Sequence, residues 1–195
     1  LGAIFCVVFS CRFCYNSANQ ENKAKRQRAA IVKKLSVYLD TSIINFLFAD
    51  DAPEKREVTQ EFFRDYVKTK VYDVYISPVV IDEMSKTEDE QHKIRLLNVV
   101  QEHHLEILNI EPRISAIETL AQYYLQNGVV PQRKLEDALH IAISTVYEMD
   151  VLLSWNYRHL ANLNRERMVL SANIQQGYMK ILRIVTPLEV MSDEK

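Results

Sequence analysis

Glycine is scarce in this chain of 195 residues: Gly2, Gly128 and Gly177 are its three, and they stand far apart. A Walker loop or a dinucleotide fingerprint needs clustered glycines to bring backbone amides onto phosphate, so both are excluded. Cysteine is just as restricted, with Cys6, Cys11 and Cys14 all falling in the first 14 residues. From Tyr15 onward there is therefore no disulfide framework, no thiolate metal site and no cysteine nucleophile. Long apolar runs are missing as well. The stretch Leu1–Tyr15 is apolar, but a bilayer span needs roughly 20 such residues. It also lacks the basic opening and small-residue cleavage site of a signal peptide. No membrane attachment is expected, and the expected location is cytoplasmic.

What is present is a globular composition. The chain is 48% hydrophobic and 26% charged, with ten Tyr and seven Phe, which sets aside disordered and fibrous classes. Its length suits one domain with a full core and hardly two. Charge is unevenly spread. Through Ser36 there are seven Lys/Arg against one acid, Glu21, a surplus of six; the whole chain carries −2, so the remainder carries −8. That body is no bulk-basic nucleic-acid binder. Contact with a phosphate chain calls for a local offset, and a divalent cation is the obvious one. Residues 1–34 are set apart as a leader, apolar and then basic. It reads either as an RNA-binding arm or as a non-native extension. Residues 35–195 are read as the domain.

Within that domain short apolar runs alternate with helical patterns. Strands are expected at 36–40, 71–76, 105–110, 151–154 and 181–185. Helices are expected after Asp40, from Pro53, from Pro78, over 88–104, from Pro112 to Asn127, over 135–149 and over 166–178. Strands that are short and wholly apolar argue an α/β fold with a parallel sheet covered on both faces.

In such a sheet, ligands collect outside the carboxyl ends of the strands. Asp40 closes the first strand, Glu83 lies in the helix after the second, and Asp137 lies near the start of a later helix. Asn156 follows the strand 151–153. Two carboxylates about 4 Å apart repel by roughly 4 kcal/mol at an effective dielectric near 20. Folding alone gives no reason to gather three, whereas Mg²⁺ or Mn²⁺ takes hard oxygen ligands. Each acid has a plainer reading too: Asp40 as a helix cap, Glu83 as an exposed acid, Asp137 as a first-turn acid favoured by the helix dipole.

The segments Val37-Tyr-Leu-Asp-Thr-Ser42, Ser77-Pro-Val-Val-Ile-Asp-Glu-Met84, Glu136-Asp-Ala-Leu-His-Ile-Ala142 and Leu152-Leu-Ser-Trp-Asn-Tyr-Arg-His159 together resemble a PIN domain. More narrowly they resemble the VapC-type toxin branch, from about Ser36 to Met191. The resemblance implies a three-layer α/β/α sandwich and a metal-dependent ribonuclease using Mg²⁺ or Mn²⁺. Its acidic ligands fall on Asp40, Glu83 rather than Asp82, and Asp137 rather than Glu136. Asn156 stands where PIN domains commonly place a fourth acid. An amide oxygen can still bind a metal or orient a water but supplies no charge.

Ser42 is expected either to donate to a scissile phosphate or a ligand carboxylate, or, with Thr41, to cap the helix. His159 is expected either to meet phosphate or a metal-bound water or to be a surface or helix-packing histidine. His140, three residues after Asp137, points the same way along its helix, with core packing the favoured role. Lys86, Arg133, Lys134 and Arg158 would steer RNA. The resemblance further implies a small antitoxin partner and a homodimer. The rival readings are a catalytically weak PIN-like binding module and, less well matched, a phosphatase with an Asp nucleophile.

Overall fold

The five expected strands all pair in one sheet. The computed structural model describes residues 34–156 and 160–192; the leader through residue 33, Arg158 and His159 lie outside the described residues. The strands are β1 (Ser36–Leu39), β2 (Asp73–Ile76), β3 (Glu106–Ile107), β4 (Val151–Leu153) and β5 (Arg183–Val185). Every pairing is parallel, in the order β3-β2-β1-β4-β5. Eight α-helices occur among the described residues. They are α1 (Thr41–Asn45), α2 (Pro53–Phe62), α3 (Pro78–Ser85), α4 (Glu90–Glu102), α5 (Ile114–Gln126), α6 (Leu135–Val146), α7 (Leu163–Gln175) and α8 (Pro187–Ser192).

Val37, Tyr38 and Leu39 are consecutive and all fully buried, as are Leu152 and Leu153. Successive strand residues point to opposite faces, so helices must cover both sides of the sheet. The result is the α/β/α sandwich.

Element ends differ from the sequence expectation for local reasons. The third strand shrinks to two residues at the edge of the sheet. The helix expected over 135–149 stops at Val146, because Glu148 takes a positive φ of 53°. The one expected from Glu166 begins earlier, at Leu163, because Asn162 caps it by accepting from the Arg165 amide at 2.9 Å. The cap of α1 is Asp40 rather than Thr41 or Ser42, since its carboxylate accepts from the Ile43 amide. Helix α2 runs on into a π-helical turn, Phe63–Val67.

The strand order reverses beside β1: its successor β2 lies on one side and the later β4 on the other. In α/β sheets a crevice for ligands is expected at such a switch point, here outside the carboxyl ends of β1 and β4. Leu39 pairs in register with Leu153, so Asp40 and Ser154 leave the sheet side by side.

Candidate active site

Asp40 is the centre of the crevice and is 4% exposed. A buried carboxylate needs donors, and the strand ends supply them. Its Oδ1 accepts from the Ser42 hydroxyl at 2.5 Å and the Ile43 amide at 3.3 Å, and its Oδ2 accepts from the Ser154 hydroxyl. The two serines also tie in the chain leaving β4. The Trp155 amide donates to Ser42 Oγ and the Asn156 amide to Ser154 Oγ, each at 2.9 Å. Burial pushes the Asp40 pKa up, against the pull of His140, Ser154, Ser42 and the Ile43 amide, and the net direction is upward.

Glu83 is set on α3, which Pro78 starts directly after β2. Its neighbour Asp82 points outward and meets Lys86 at 3.7 Å. Glu83 instead faces the crevice with 24% of its side chain exposed. Its Oε2 accepts from the Thr41 hydroxyl and from His140 Nε2, the latter at 2.8 Å. Burial pulls its pKa up, but the His140 hydrogen bond and charge, with Thr41 and Lys86, outweigh this and hold it below the ordinary glutamate value.

Asp137 lies in the first turn of α6, half-buried. The Asn156 amide nitrogen reaches its two oxygens at 3.3 and 3.5 Å, which joins α6 to the segment after β4. One helical turn on, His140 is 2% exposed. Burial pushes its pKa down. Hydrogen bonding to Glu83 and the charges of Glu83, Asp40 and Asp137 reverse that, and the net direction is upward.

Hydrogen bonds link the three acids: Thr41, next to Asp40, donates to Glu83; Ser154, which donates to Asp40, accepts from the backbone amide of Asn156, whose side chain reaches Asp137; and His140 bonds Glu83. Asp40, Glu83 and Asp137 come from three separate elements and all act on this one imidazole. Among the described residues, however, no three His, Cys, Asp or Glu side chains are grouped so as to hold a metal ion. The donor chemistry fits Mg²⁺ or Mn²⁺, since every candidate is a hard oxygen.

Several participants were not legible as such in the chain. Thr41 and Ser154 are hydroxyls placed just after strand ends, and Tyr38 is a phenol in a buried strand that had to find a partner. His140 does pack in the core, and, as its spacing of three from Asp137 suggests, it also turns toward the site, bonding Glu83 and Tyr38. Arg165, on α7, is the least expected. Its Nε and Nη1 are enclosed and make no hydrogen bond among the described residues. Burial lowers its pKa while the Asp137 charge opposes that.

A parallel α/β sandwich with acids converging at its strand-order switch is the class that fold and crevice define. The PIN domain family model matches residues 37–166, well over half of the chain, and the protein belongs to the PIN domain family. Among solved structures, a chain of VapBC2 from Rickettsia felis, crystallised bound to a DNA fragment from their promoter, is similar to this one. Its identity is 13% and its TM-score 0.48, covering 78% of this chain and 98% of that chain. A comparison with curated proteins gave no match.

Proposed function

We propose that this chain is a divalent-metal-dependent endoribonuclease of the VapC type, the toxin of a type II toxin-antitoxin pair. PIN domains are generally nucleases. The observation that carries the reading is the hydrogen-bonded placement of three acids at the carboxyl end of a parallel sheet: Asp40 on Ser42 and Ser154, Glu83 on Thr41 and His140, and Asp137 on Asn156. In this reading Asp40, Glu83 and Asp137, with the Asn156 amide, hold Mg²⁺ or Mn²⁺. When bound, the ion supplies acidification of water and positive charge against a phosphodiester.

The chain's own residues do the rest. Ser42, Ser154 and the Ile43 amide fix Asp40, so little reorganisation is needed when charge develops on a phosphate. Asn156 orients Asp137. Lys86 lies close enough to Glu83 to act on it electrostatically, and Arg133 and Lys134 are exposed at the start of α6. These cations offset the acidity of the rim for an incoming RNA, and Arg165, with two enclosed guanidinium nitrogens, is near enough to Asp137 for the two charges to act on each other. A single-stranded stretch presents its phosphates most openly. His159 stays in the proposal as a phosphate contact. A small antitoxin that places an arginine among the carboxylates, and a homodimer, belong to the same reading.

The test is total RNA incubated with the full chain, with and without Mn²⁺, and the new ends mapped. Asp40→Asn and Asp137→Asn should each slow cleavage by about 100-fold or more, some 2.7 kcal/mol of barrier. Either variant cutting at the wild-type rate refutes the proposal. One observation favours a second reading: Asn156 stands where an acid is common, and the acids are not spaced as ligands. A metal-free RNA- or protein-binding module would show no stabilisation by Mn²⁺. A site filled at 100 times its Kd gains about 2.7 kcal/mol.

A further inference from the structure

We infer that His140 is a positioning residue for Glu83, and that a buried string of side chains, Ser77, Tyr38 and His140, holds one oxygen of that carboxylate so that the other faces the crevice. The inference rests on the nuclease reading in one respect: it takes Glu83 to be a metal ligand.

Both hydrogen bonds to Glu83 fall on the same atom, Oε2, one from Thr41 and one from His140 Nε2. Among the described residues Oε1 accepts none. An ionised carboxylate can only accept, so the proton of this bond sits on Nε2. In a neutral imidazole the other nitrogen is then an acceptor. Nδ1 faces the Tyr38 hydroxyl at 2.9 Å, and the Tyr38 oxygen faces Ser77 Oγ at 2.7 Å. With the imidazole neutral the string runs Ser77 to Tyr38 to His140 to Glu83; with it protonated Nδ1 donates to Tyr38 instead, and in both states Nε2 donates to Glu83.

Packing alone does not explain it. Tyr38 and Ser77 are fully buried and His140 nearly so. Buried polar groups are costly unless each finds a partner, and apolar side chains of similar volume would fill the same space without that risk. The parts come from β1, the β2–α3 junction and α6. Because Asp137 and His140 share α6 at a spacing of three, the helix that presents Asp137 also steadies Glu83. Partners of metal ligands behave in this way: they orient the ligand, and losing one weakens metal binding about 10- to 100-fold.

Mn²⁺ titration of the full chain by calorimetry tests this, with His140→Phe, His140→Gln and Tyr38→Phe beside wild type and melting curves for each. Gln keeps an amide N–H near Nε2, so His140→Gln should bind within about threefold of wild type, while His140→Phe weakens binding about 10- to 100-fold. Tyr38→Phe, which removes one hydroxyl, should fall between them and decides the matter if His140→Phe does not fold. Equal Mn²⁺ affinity for folded His140→Phe and wild type overturns the inference. So does Tyr38→Phe matching wild type, or a loss in His140→Gln as large as in His140→Phe. Wild type failing to bind Mn²⁺ at all is a different result: it removes the metal reading itself, and this inference with it.

Discussion

Ser154→Ala is the sharpest test of how the crevice is built. Ser154 is fully buried and makes two bonds at once, donating to Asp40 Oδ2 and accepting from the Asn156 amide at 2.9 Å. Alanine leaves a buried carboxylate short of a donor and an amide short of an acceptor. Each loss costs about 1–3 kcal/mol where water cannot enter. A total near 3 kcal/mol is expected, a fall in Tm of about 6–12 °C for a domain of this size. Urea and thermal unfolding of the metal-free protein would read it. The same substitution in an Asp40→Ala background should cost less, because there the hydroxyl has already lost its acceptor. The difference is the coupling between the two residues, expected at about 1–2 kcal/mol. Ser42→Ala should cost about 1 kcal/mol, since Ser42 is half-buried and water can replace its hydroxyl. A Ser154→Ala protein within about 0.5 kcal/mol of wild type, or an equal loss in both backgrounds, would refute the clamp.

Three further outcomes follow from the same contacts. The His140 pKa lies above its ordinary 6.5, so its contribution to stability is complete below pH 6.5 and is lost as pH rises through the folded value. The Glu83 pKa lies below its ordinary 4.5, so its contribution is present above pH 4.5 and is lost as pH falls through the folded value. Asp40 has a raised pKa and its ionisation costs stability as pH rises. In EDTA the melting temperature should therefore decline from pH 6.5 toward 9, and less steeply in His140→Gln; equal slopes would be the contrary result. Asn156→Asp sets an acid against Asp137, now met at 3.3 Å by an amide. It should destabilise the metal-free protein, by less than the roughly 4 kcal/mol of an unscreened pair, and increase the stabilisation gained from Mn²⁺; unchanged melting without metal would count against this. Arg165→Met removes two enclosed donors that have no acceptor among the described residues and should leave metal-free stability equal or about 1 kcal/mol higher, while RNA binding measured by anisotropy weakens; unaltered binding would contradict the role given to that cation.

The parallel sheet was readable because its strands are runs such as Val-Tyr-Leu with nothing polar on either face, and because prolines and caps mark the helices between them. Asp40 was readable for a related reason: an acid after such a run is an anomaly. The clamp around it was not. Ser154 and Asp40 are separated by 114 positions, and no local pattern says which two strand ends will adjoin. Asp82 and Glu83 are consecutive acids, and periodicity alone does not decide which faces the crevice; Thr41 and His140, on other elements, decide it. Helix α8 was legible but not anticipated. Thr186 and Glu189 form one half of a capping box, with the Thr186 amide and hydroxyl donating to Glu189 Oε2 at 2.8 and 2.9 Å, and the Thr-x-x-Glu spacing announces such a start. The π-helical turn after α2 had no comparable signal. Its Tyr66 stacks on Phe62 and Tyr72, with ring planes within 14°, which is a tertiary arrangement.

The crevice also bears on how activity losses should be read. Three acids that meet at one imidazole would be expected to strain a metal-free fold, yet each is met by donors from the chain: hydroxyls and a helix amide on Asp40, a hydroxyl and an imidazole on Glu83, an amide on Asp137. The fold is thus held without an ion. Asparagine at position 40 keeps a side-chain oxygen for the Ser42 hydroxyl and the Ile43 amide and remains a good helix cap. It removes a charge that burial disfavours, but it turns an amide nitrogen toward Ser154, whose hydroxyl loses its acceptor. These two effects oppose each other, so Asp40→Asn should melt within about 2 °C of wild type in EDTA while losing both RNA cleavage and the Mn²⁺-dependent rise in Tm. Were that variant to melt several degrees lower without metal, the carboxylate would be serving the fold, and its loss of activity would say nothing about chemistry.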